Sequence, residues 1–278
     1  MLKTFGLIAV CTICACGGEV TKRAPPAPSY ASGGSRNSAI VVEHLAATGA
    51  SAGLGGSRSV SATGGSPEVS SACAVVKATG SPPLIDDLDD GDGDLPLNDG
   101  RNGFWYADSD GTGEFIPPSV RTTNCDPTYR YLPTNGRACI SGRGFRDWGA
   151  GIGLALRNGP NCTSCNYDVT ALRGVSFTIS ATTPGSIRFL VITADTHEAK
   201  WGGTCTSNQC TDSYGVAVQV TAAPRAVQVA WSDLSQMGWG TTFPLNLHQV
   251  HNIEWLVRTD TALATNFQDL CIDNINFY

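Results

Sequence analysis

Charged side chains are scarce in this sequence, because Asp, Glu, Lys and Arg together make up 15% of its 278 residues. The shortage is greater on the basic side, where 18 Lys and Arg stand against 24 Asp and Glu. Proteins that bind nucleic acid usually carry a basic stripe, and we find none. The low charge, together with 32 Gly and 11 Cys, is typical of an exported protein and argues against an intracellular cofactor enzyme.

An apolar run long enough to cross a membrane is also missing. Residues 5–15 form an apolar run of 11 residues, whereas a bilayer span needs about 20. The run follows Lys3 and has the length of a signal-peptide core. Ile13, Ala15 and Cys16 then resemble the bacterial lipobox, which predicts cleavage after residue 15 and lipidation of Cys16. The alternative is an ordinary cleaved signal peptide. Either way, we expect export, to the outer membrane or the cell surface.

Helical periodicity is absent from the apolar segments. Instead, apolar residues alternate with a period of two around residues 175–179, 216–220, 227–231 and 253–257. This alternation of β-branched and aromatic residues is typical of half-buried strands. Many short strands without helices predict an all-β fold, a jelly-roll β-sandwich.

A change of composition divides the chain into a tether and a domain. Residues 17–82 contain 11 Gly, 12 Ser and 5 Pro, but their one aromatic residue is Tyr30. Such a segment cannot bury enough apolar surface to offset its conformational entropy. We therefore predict a disordered tether over residues 16–82 and one folded domain over residues 83–278.

The cysteines of the exported chain predict structural disulfides. After Cys16, eight Cys remain: Cys73, Cys125, Cys139, Cys162, Cys165, Cys205, Cys210 and Cys271. Eight Cys allow 105 pairings, and short loops favour Cys125–Cys139, Cys162–Cys165 and Cys205–Cys210, which leaves Cys73–Cys271. A zinc site is the competing interpretation, disfavoured by the export signal and by the lack of a third ligand pair.

Acidic residues are concentrated at the start of the domain, where seven Asp lie between Asp86 and Asp99. Clustered carboxylates with interleaved Gly provide the hard oxygen ligands that calcium prefers. The spacing is not that of a helix–loop–helix calcium site, since no Glu follows at the required position. The alternative is a solvated acidic loop.

Short motifs follow one another along residues 84–278. They are IDDLDDGD at 85–92, GFWY at 103–106, WGA at 148–150, YD at 167–168, WSDL at 231–234 and IDNI at 272–275. This ordered set resembles family 11-like carbohydrate-binding modules, which are galactose-binding-like jelly rolls. The resemblance implies a non-catalytic domain that binds polysaccharide. It also implies a structural Ca²⁺ held by Asp89 and Asp273, with Asp87 as a further ligand.

Carbohydrate recognition requires flat aromatic faces together with polar groups for the sugar hydroxyls. Aromatic residues in polar loops are the best candidates, and these are Trp201, Trp239, Tyr129 and Tyr131. Arg188 alternates with apolar residues in a strand and is expected to face a concave sheet surface. For each of them the alternative is a role in packing or in anchoring a loop.

A catalytic constellation is missing from the sequence. No motif pairs two carboxylates as glycoside hydrolysis needs, and neither Gly-x-Ser-x-Gly nor His-Glu-x-x-His occurs. We expect His251 and Glu254 to be solvated surface residues. The sequence therefore indicates a protein that is not an enzyme.

These observations favour a lipid-anchored, monomeric surface module that binds a β-glucan-like polysaccharide and holds a structural calcium. Its partners are then polysaccharide and, through Cys16, a membrane, but not nucleic acid. Because fold does not fix function, two alternatives stay open. One is a cell-envelope protein-interaction or scaffold domain with the same sandwich, and the other is a small polysaccharide hydrolase or lyase.

Overall fold

The structure, a computed structural model, describes residues 73–117, 131–160, 163–261, 263 and 266–278. These residues form thirteen β-strands and no α-helix, so the all-β prediction is confirmed. The strands are β1 (Val76–Lys77), β2 (Leu84–Asp86), β3 (Trp105–Ser109), β4 (Glu114–Ile116), β5 (Ala138–Arg143), β6 (Gly149–Ala155), β7 (Tyr167–Asp168), β8 (Gly174–Ser180), β9 (Gly185–Thr193), β10 (Tyr214–Val220), β11 (Arg225–Ala230), β12 (Val250–Arg258) and β13 (Asn266–Phe277). Within the described ranges, no helix is long and apolar enough to cross a membrane.

The strands form two sheets that enclose one core, as expected for a β-sandwich. In the first sheet, β12 lies between β6 and β9, β3 lies beyond β6, and β10 lies beyond β9. The short strands β7 and β1 continue this sheet from the start of β12. In the second sheet, β13 lies between β8 and β5, β11 and β4 form the outer positions, and β2 also pairs with β13.

Aromatic residues from both sheets meet in the core. Trp105 of β3 and Trp255 of β12 are fully buried, and their rings stack with centroids 5.8 Å apart. Phe177 of β8, in the second sheet, meets Trp255 edge-on at 5.2 Å. Aromatic rings bury more apolar area than other side chains and prefer these two geometries. This cluster therefore joins the two sheets.

The domain begins before residue 83, because the segment at residues 73–82 is attached to it. Val76 and Lys77 pair with β7 in parallel, and Arg157 donates from Nη1 to the carbonyl of Ala74 at 2.6 Å. The Asp99 carboxylate accepts the backbone N–H of Thr79 at 3.0 Å. The Gly and Ser content of this segment suggested a tether, but these non-local contacts and a disulfide order it.

The disulfides differ from most of the predicted pairings. Cys205–Cys210 is present as expected, but Cys139 is joined to Cys271 and Cys73 to Cys165. The predicted pairs Cys125–Cys139, Cys162–Cys165 and Cys73–Cys271 are therefore wrong. Cys125 and Cys162 themselves lie outside the described residues. The reason is strand register, because Cys139 on β5 and Cys271 on β13 are directly opposite each other.

Candidate functional site

The outer face of the first sheet has a central strip without side chains. On β12, the fully buried Ile253, Trp255 and Val257 point into the core, so the residues between them point outward. On the neighbouring strand β6, the outward positions are Gly149, Gly151 and Gly153. They pair with the outward residues Arg258, Leu256 and Glu254 of β12, respectively. We call these three glycines the glycine floor. At Gly149, with a φ of +116°, a Cβ would lie 1.9 Å from the carbonyl oxygen of Val257, so only glycine fits there.

Two side chains from the flanking strands lie on the glycine floor. A Cβ at Gly153 would lie 2.6 Å from the Tyr106 hydroxyl, and one at Gly151 would lie 2.7 Å from Oε1 of Glu254. Tyr106 comes from β3 and Glu254 from β12, on opposite sides of β6. The Tyr106 hydroxyl donates to Oε2 of Glu254 at 3.1 Å. The glycines therefore allow a tyrosine and a carboxyl group to lie close to the backbone of the sheet.

The carboxyl group of Glu254 has an unusual protonation equilibrium. Burial raises the pKa of Glu254 to about 7, and the negative charge of Asp108 adds to the rise, while the hydrogen bond from Tyr106 opposes it. Asp108 lies opposite Gly151 on β3, which explains its influence. A neutral carboxyl group both donates and accepts hydrogen bonds, as a sugar hydroxyl requires.

A chain of hydrogen bonds connects the floor to Trp201. Asn252 donates to the Tyr106 hydroxyl at 3.4 Å and accepts from the Ser164 hydroxyl at 3.0 Å. The backbone N–H of Ser164 donates to the carbonyl of Trp201 at 2.8 Å. Trp201 lies in the loop between β9 and β10, residues 194–213, which we call the Trp201 loop. Trp201 is 40% exposed, and its carbonyl is joined through Ser164 to the outward side chain of Asn252.

A second tryptophan lies on the other side of the Trp201 loop. Ser235 exchanges both backbone hydrogen bonds with Gly215 of β10, and this pairing places residues 235–243, the Trp239 loop, next to the first sheet. Trp239 is 54% exposed and Met237 is 45% exposed. The Met237 sulfur contacts the guanidinium of Arg258, which projects from β12. The Trp239 loop therefore reaches over the outer face.

The two arginines of this face already have partners. Arg188 of β9 lies beside Leu256 of β12, on the face where the sequence predicted it, and its guanidinium donates to the carbonyl of Ser235. Arg258 forms an ion pair with Asp260 at 2.8 Å. Arg188 thus supports the Trp239 loop, and the cationic charge of Arg258 is compensated.

The residues predicted from the sequence to contact carbohydrate are partly exposed, partly buried and partly outside the described residues. Trp201 and Trp239 are exposed around the outer face, and Arg188 lies on that face. Tyr131 is a correction: it is 6% exposed, and its hydroxyl is hydrogen-bonded to the carbonyl and the N–H of Cys139. It therefore anchors β5 and is not available to a ligand. Tyr129 lies outside the described residues.

Three polar residues of the face were not predicted as contacts from the sequence, namely Tyr106, Asn252 and Glu254. Glu254 was expected to be a solvated strand residue, but it is half-buried on the glycine floor. The available signal was the alternating glycines of residues 149–153, because a strand with Gly at every second position leaves one face open to side chains from its neighbours.

Two histidines fasten the Trp201 loop to β12. Nδ1 of His197 and Nδ1 of His251 are 3.0 Å apart, and Nε2 of His251 is 2.9 Å from Oδ1 of Asn166. Because Oδ1 only accepts, His251 carries its proton on Nε2, and His197 donates to its free Nδ1. His251 is fully buried, whereas the sequence indicated a surface residue.

This histidine pair predicts a loss of stability in acid. Burial lowers the pKa of His251 to about 3 and that of His197 to about 4, from 6.5. The two histidines bind protons more tightly in the unfolded chain than in the fold. The pair therefore makes its full contribution to the free energy of unfolding above pH 6.5, and this contribution falls as the pH drops toward 4. Glu254 and Asp86 have the opposite slope, between pH 7 and 4.5 and between pH 6 and 3.8, because burial raises their pKa values to about 7 and about 6 in the fold. We expect the two histidines to outweigh these two carboxyl groups, because the pKa shifts of the histidines are together larger.

The measurement is urea unfolding at a series of pH values for the wild type, His251→Gln and Gln228→Ala. His251→Gln should flatten the pH dependence between 6.5 and 4. Gln228→Ala, which removes an exposed, uncharged side chain of β11, is the control and should leave the slope as it is. If the free energy of unfolding of His251→Gln depends on pH as steeply as that of the wild type, the acid sensitivity does not come from this histidine pair.

The expected calcium ligands do not converge on one point. The described residues contain no group of three or more His, Cys, Asp or Glu arranged to hold a metal ion. Burial raises the pKa of Asp273, the hydrogen bond from the Asn274 N–H and the positive charge of Arg137 oppose the rise, and the negative charges of Asp89 and Asp87 add to it. The three carboxylates therefore interact electrostatically without meeting around one point.

Comparison with known proteins relates the fold to carbohydrate-binding modules. The structure is similar to the family 11 carbohydrate-binding module of cellulosomal cellulase Lic26A-Cel5E of Clostridium thermocellum, with 14% identity, a TM-score of 0.41, and coverage of 70% of this chain and 92% of that one. Another structure of a family 11 module from this organism, in complex with a β-1,3-1,4-mixed-linked tetrasaccharide, gives 14% identity, a TM-score of 0.39, and coverage of 70% and 94%. The N-terminal cellulose-binding domain of Cellulomonas fimi β-1,4-glucanase C gives 15% identity, a TM-score of 0.32, and coverage of 63% and 87%.

No family model matches the sequence, and no curated protein matches it. At 14% identity and a TM-score of 0.41, the likeness to family 11 modules does not assign a ligand to this chain, so the function is inferred from the chain's own residues.

Proposed function

We propose that the domain binds polysaccharide without cleaving it, on the outer face of the first sheet. The observation that carries the proposal is the combination of two exposed indole rings, Trp201 and Trp239, with Tyr106 and Glu254 on the glycine floor, where the buried amide of Asn252 holds the Tyr106 hydroxyl. Trp and Tyr are enriched at binding surfaces, because each combines a large apolar ring with a polar group. Indole rings stack on the apolar face of a pyranose ring, while phenol and carboxyl groups bond its hydroxyls.

The charges of this face favour a neutral glycan, such as a β-glucan. Arg258 is paired with Asp260, and the Arg188 guanidinium is held by the Ser235 carbonyl. Neither arginine is therefore poised to receive the carboxylate of an acidic sugar. With a pKa of about 7, the Glu254 carboxyl group is partly neutral at neutral pH, and its neutral form both donates to and accepts from sugar hydroxyls.

Hydrolysis is a second candidate, favoured by one observation. Glu254 and Asp108 are two carboxyl groups on the same face, and the pKa of Glu254 is raised to about 7. Glycosidases use such a pair, with the raised carboxyl group as the acid. We prefer binding because the Glu254 carboxyl group is engaged with Tyr106 in the floor.

The test of the proposal is retention of the chain from residue 17 onward, purified with its disulfides intact, on a panel of insoluble and soluble polysaccharides. Retention on a neutral β-glucan, without release of reducing ends, is expected. Release of reducing ends that stops in Glu254→Gln would favour hydrolysis. If the folded protein is retained on no glycan, the protein-interaction or scaffold alternative becomes the better explanation.

We also propose that the domain is presented outside the cytoplasm by a lipid on Cys16, which lies outside the described residues. The supports are the short apolar run before Cys16 and the disulfides of the domain, since disulfides persist in oxidising compartments. An exported module on a long tether would meet polysaccharides at the cell surface.

A structural calcium at Asp87, Asp89 and Asp273 is a further prediction. At a concentration about 100-fold above its dissociation constant, calcium should raise the free energy of unfolding by about 2.7 kcal/mol. The measurement is thermal unfolding in excess calcium and in excess chelator. Asp273→Asn should remove the difference, whereas Asp233→Asn, at an exposed site on another loop, should keep it. Identical unfolding of the wild type in both conditions would refute the prediction.

A further inference from the structure

Asp212 is a buried carboxylate that organises the Trp239 loop. It is 3% exposed, and it accepts the backbone N–H groups of Met237 at 2.9 Å, Gly238 at 2.7 Å and Gly240 at 3.2 Å. No Lys, Arg or His in the described part of the chain forms an ion pair with it, although its negative charge acts on Arg188. The hydrogen bonds to its carboxylate come from three amides that flank Trp239 in the sequence.

Other contacts tie the same two loops together. Thr241 donates its N–H to the carbonyl of Gln209 at 3.1 Å, and the Gln236 amide donates to the carbonyls of Asp212 and Thr241 at 2.7 and 3.0 Å. Gln209 belongs to the Trp201 loop, next to the Cys205–Cys210 disulfide. The Trp239 loop is thus fixed to the Trp201 loop and not only to the sheet.

We propose that Asp212 is a positioning residue for glycan binding, which holds the two tryptophan loops in one arrangement so that both indole rings meet the same glycan chain. This inference rests on the proposed function and deepens it. Asp212 itself touches no ligand, because its carboxylate is turned to the amides of the Trp239 loop. It acts through the placement of Trp239.

The physical reason is preorganisation. A side chain that is ordered before binding spares the complex the free-energy cost of ordering it. Trp239 is exposed, so its own packing does not fix it. Gly238 and Gly240, on either side of Trp239, would allow its backbone many conformations, and the hydrogen bonds to the Asp212 carboxylate restrict them. Gly238 adopts a φ of +84°, which the hydrogen bonds to Asp212 hold in place.

The experiment compares Asp212→Asn with the wild type in titrations with a soluble mixed-linkage β-glucan. An amide keeps the size of the carboxylate but loses its charge and turns donors toward the loop amides. We expect the dissociation constant to rise about 3- to 10-fold. The matched control is Asp233→Asn, where the aspartate also accepts a backbone N–H, that of Ala230 at 3.1 Å, but in a different loop. It should bind like the wild type.

A double-mutant cycle separates positioning from a general loss of stability. In the background of Trp239→Ala, Asp212→Asn should change the dissociation constant less than 2-fold, because the residue through which it acts is gone. A full, additive effect in this background, or wild-type affinity of the single variant, would overturn the inference. If Asp212→Asn does not fold, Gln236→Ala loosens the same loop from its other side and must give the same pattern.

Two measurements without glycan keep this inference separate from the proposed function. In a Trp148→Phe/Trp201→Phe background, where the other remaining tryptophans, Trp105, Trp231 and Trp255, are buried, Asp212→Asn should increase quenching of Trp239 fluorescence by iodide. It should also speed hydrogen exchange of the amides of Met237, Gly238 and Gly240. If the wild type binds no glycan but both changes occur, the proposed function fails and the positioning role stands. Unchanged quenching and exchange would refute the positioning role whatever the glycan result.

Discussion

Replacing Trp201 or Trp239 by alanine is expected to weaken glycan binding about 30-fold in each case, because truncating a central Trp of an interface costs about 2 kcal/mol or more and about 1.4 kcal/mol is a factor of ten. Both side chains are well exposed, at 40% and 54%. Their removal therefore exposes little core, and the free energy of unfolding should change by less than about 0.5 kcal/mol.

The measurement is a titration with soluble β-glucan, beside thermal unfolding of each variant. Trp239→Phe keeps a smaller ring and should lose less affinity than Trp239→Ala. Leu97→Ala is the control, because Leu97 is a large apolar side chain that is 85% exposed and lies in the acidic segment after β2. Wild-type affinity in both tryptophan-to-alanine variants, with the fold intact, would move the site away from this face.

Opening the Cys139–Cys271 disulfide is expected to lower the free energy of unfolding by about 5 kcal/mol in the loop-entropy treatment. The bridge spans 132 residues, so it restricts the unfolded chain strongly. It also lies between β5 and β13, in the middle of the second sheet. The double variant Cys139→Ala/Cys271→Ala should therefore unfold at a much lower urea concentration.

The Cys205–Cys210 bridge offers a matched comparison within the same chain. It spans 5 residues, and the same treatment gives about 2 kcal/mol. Urea unfolding of both double variants should show the larger loss at Cys139–Cys271. Equal losses would mean that the native contacts of the bridges, and not the length of chain that they enclose, determine their contribution.

The sequence was sufficient for the fold class and for the exposed tryptophans. Period-two alternation is a local signal, and each strand that carries it, such as β8 or β12, can be read without knowing its neighbours. Trp201 and Trp239 are likewise marked by the polar and glycine-rich loops around them. These features depend on residues that are close in the chain.

The floor of the site and the disulfide pairing could not be predicted in the same way. Tyr106 and Glu254 meet because β3 and β12 both pair with β6 in a particular register. A shift of one residue would turn either side chain into the core. Cys139 and Cys271 are opposite each other for the same kind of reason. Register between distant strands follows from the packing of the whole sandwich, which no short segment specifies.

The bridge from Cys73 to Cys165 decides how the domain carries mechanical load. Tension on the chain before Cys73 passes through a covalent bond to Cys165, so the short strand β1 does not have to resist it. Ser164, next to Cys165, holds the backbone of Trp201. A glycan bound at Trp201, as proposed, and the preceding chain would therefore be held by neighbouring residues at one edge of the domain.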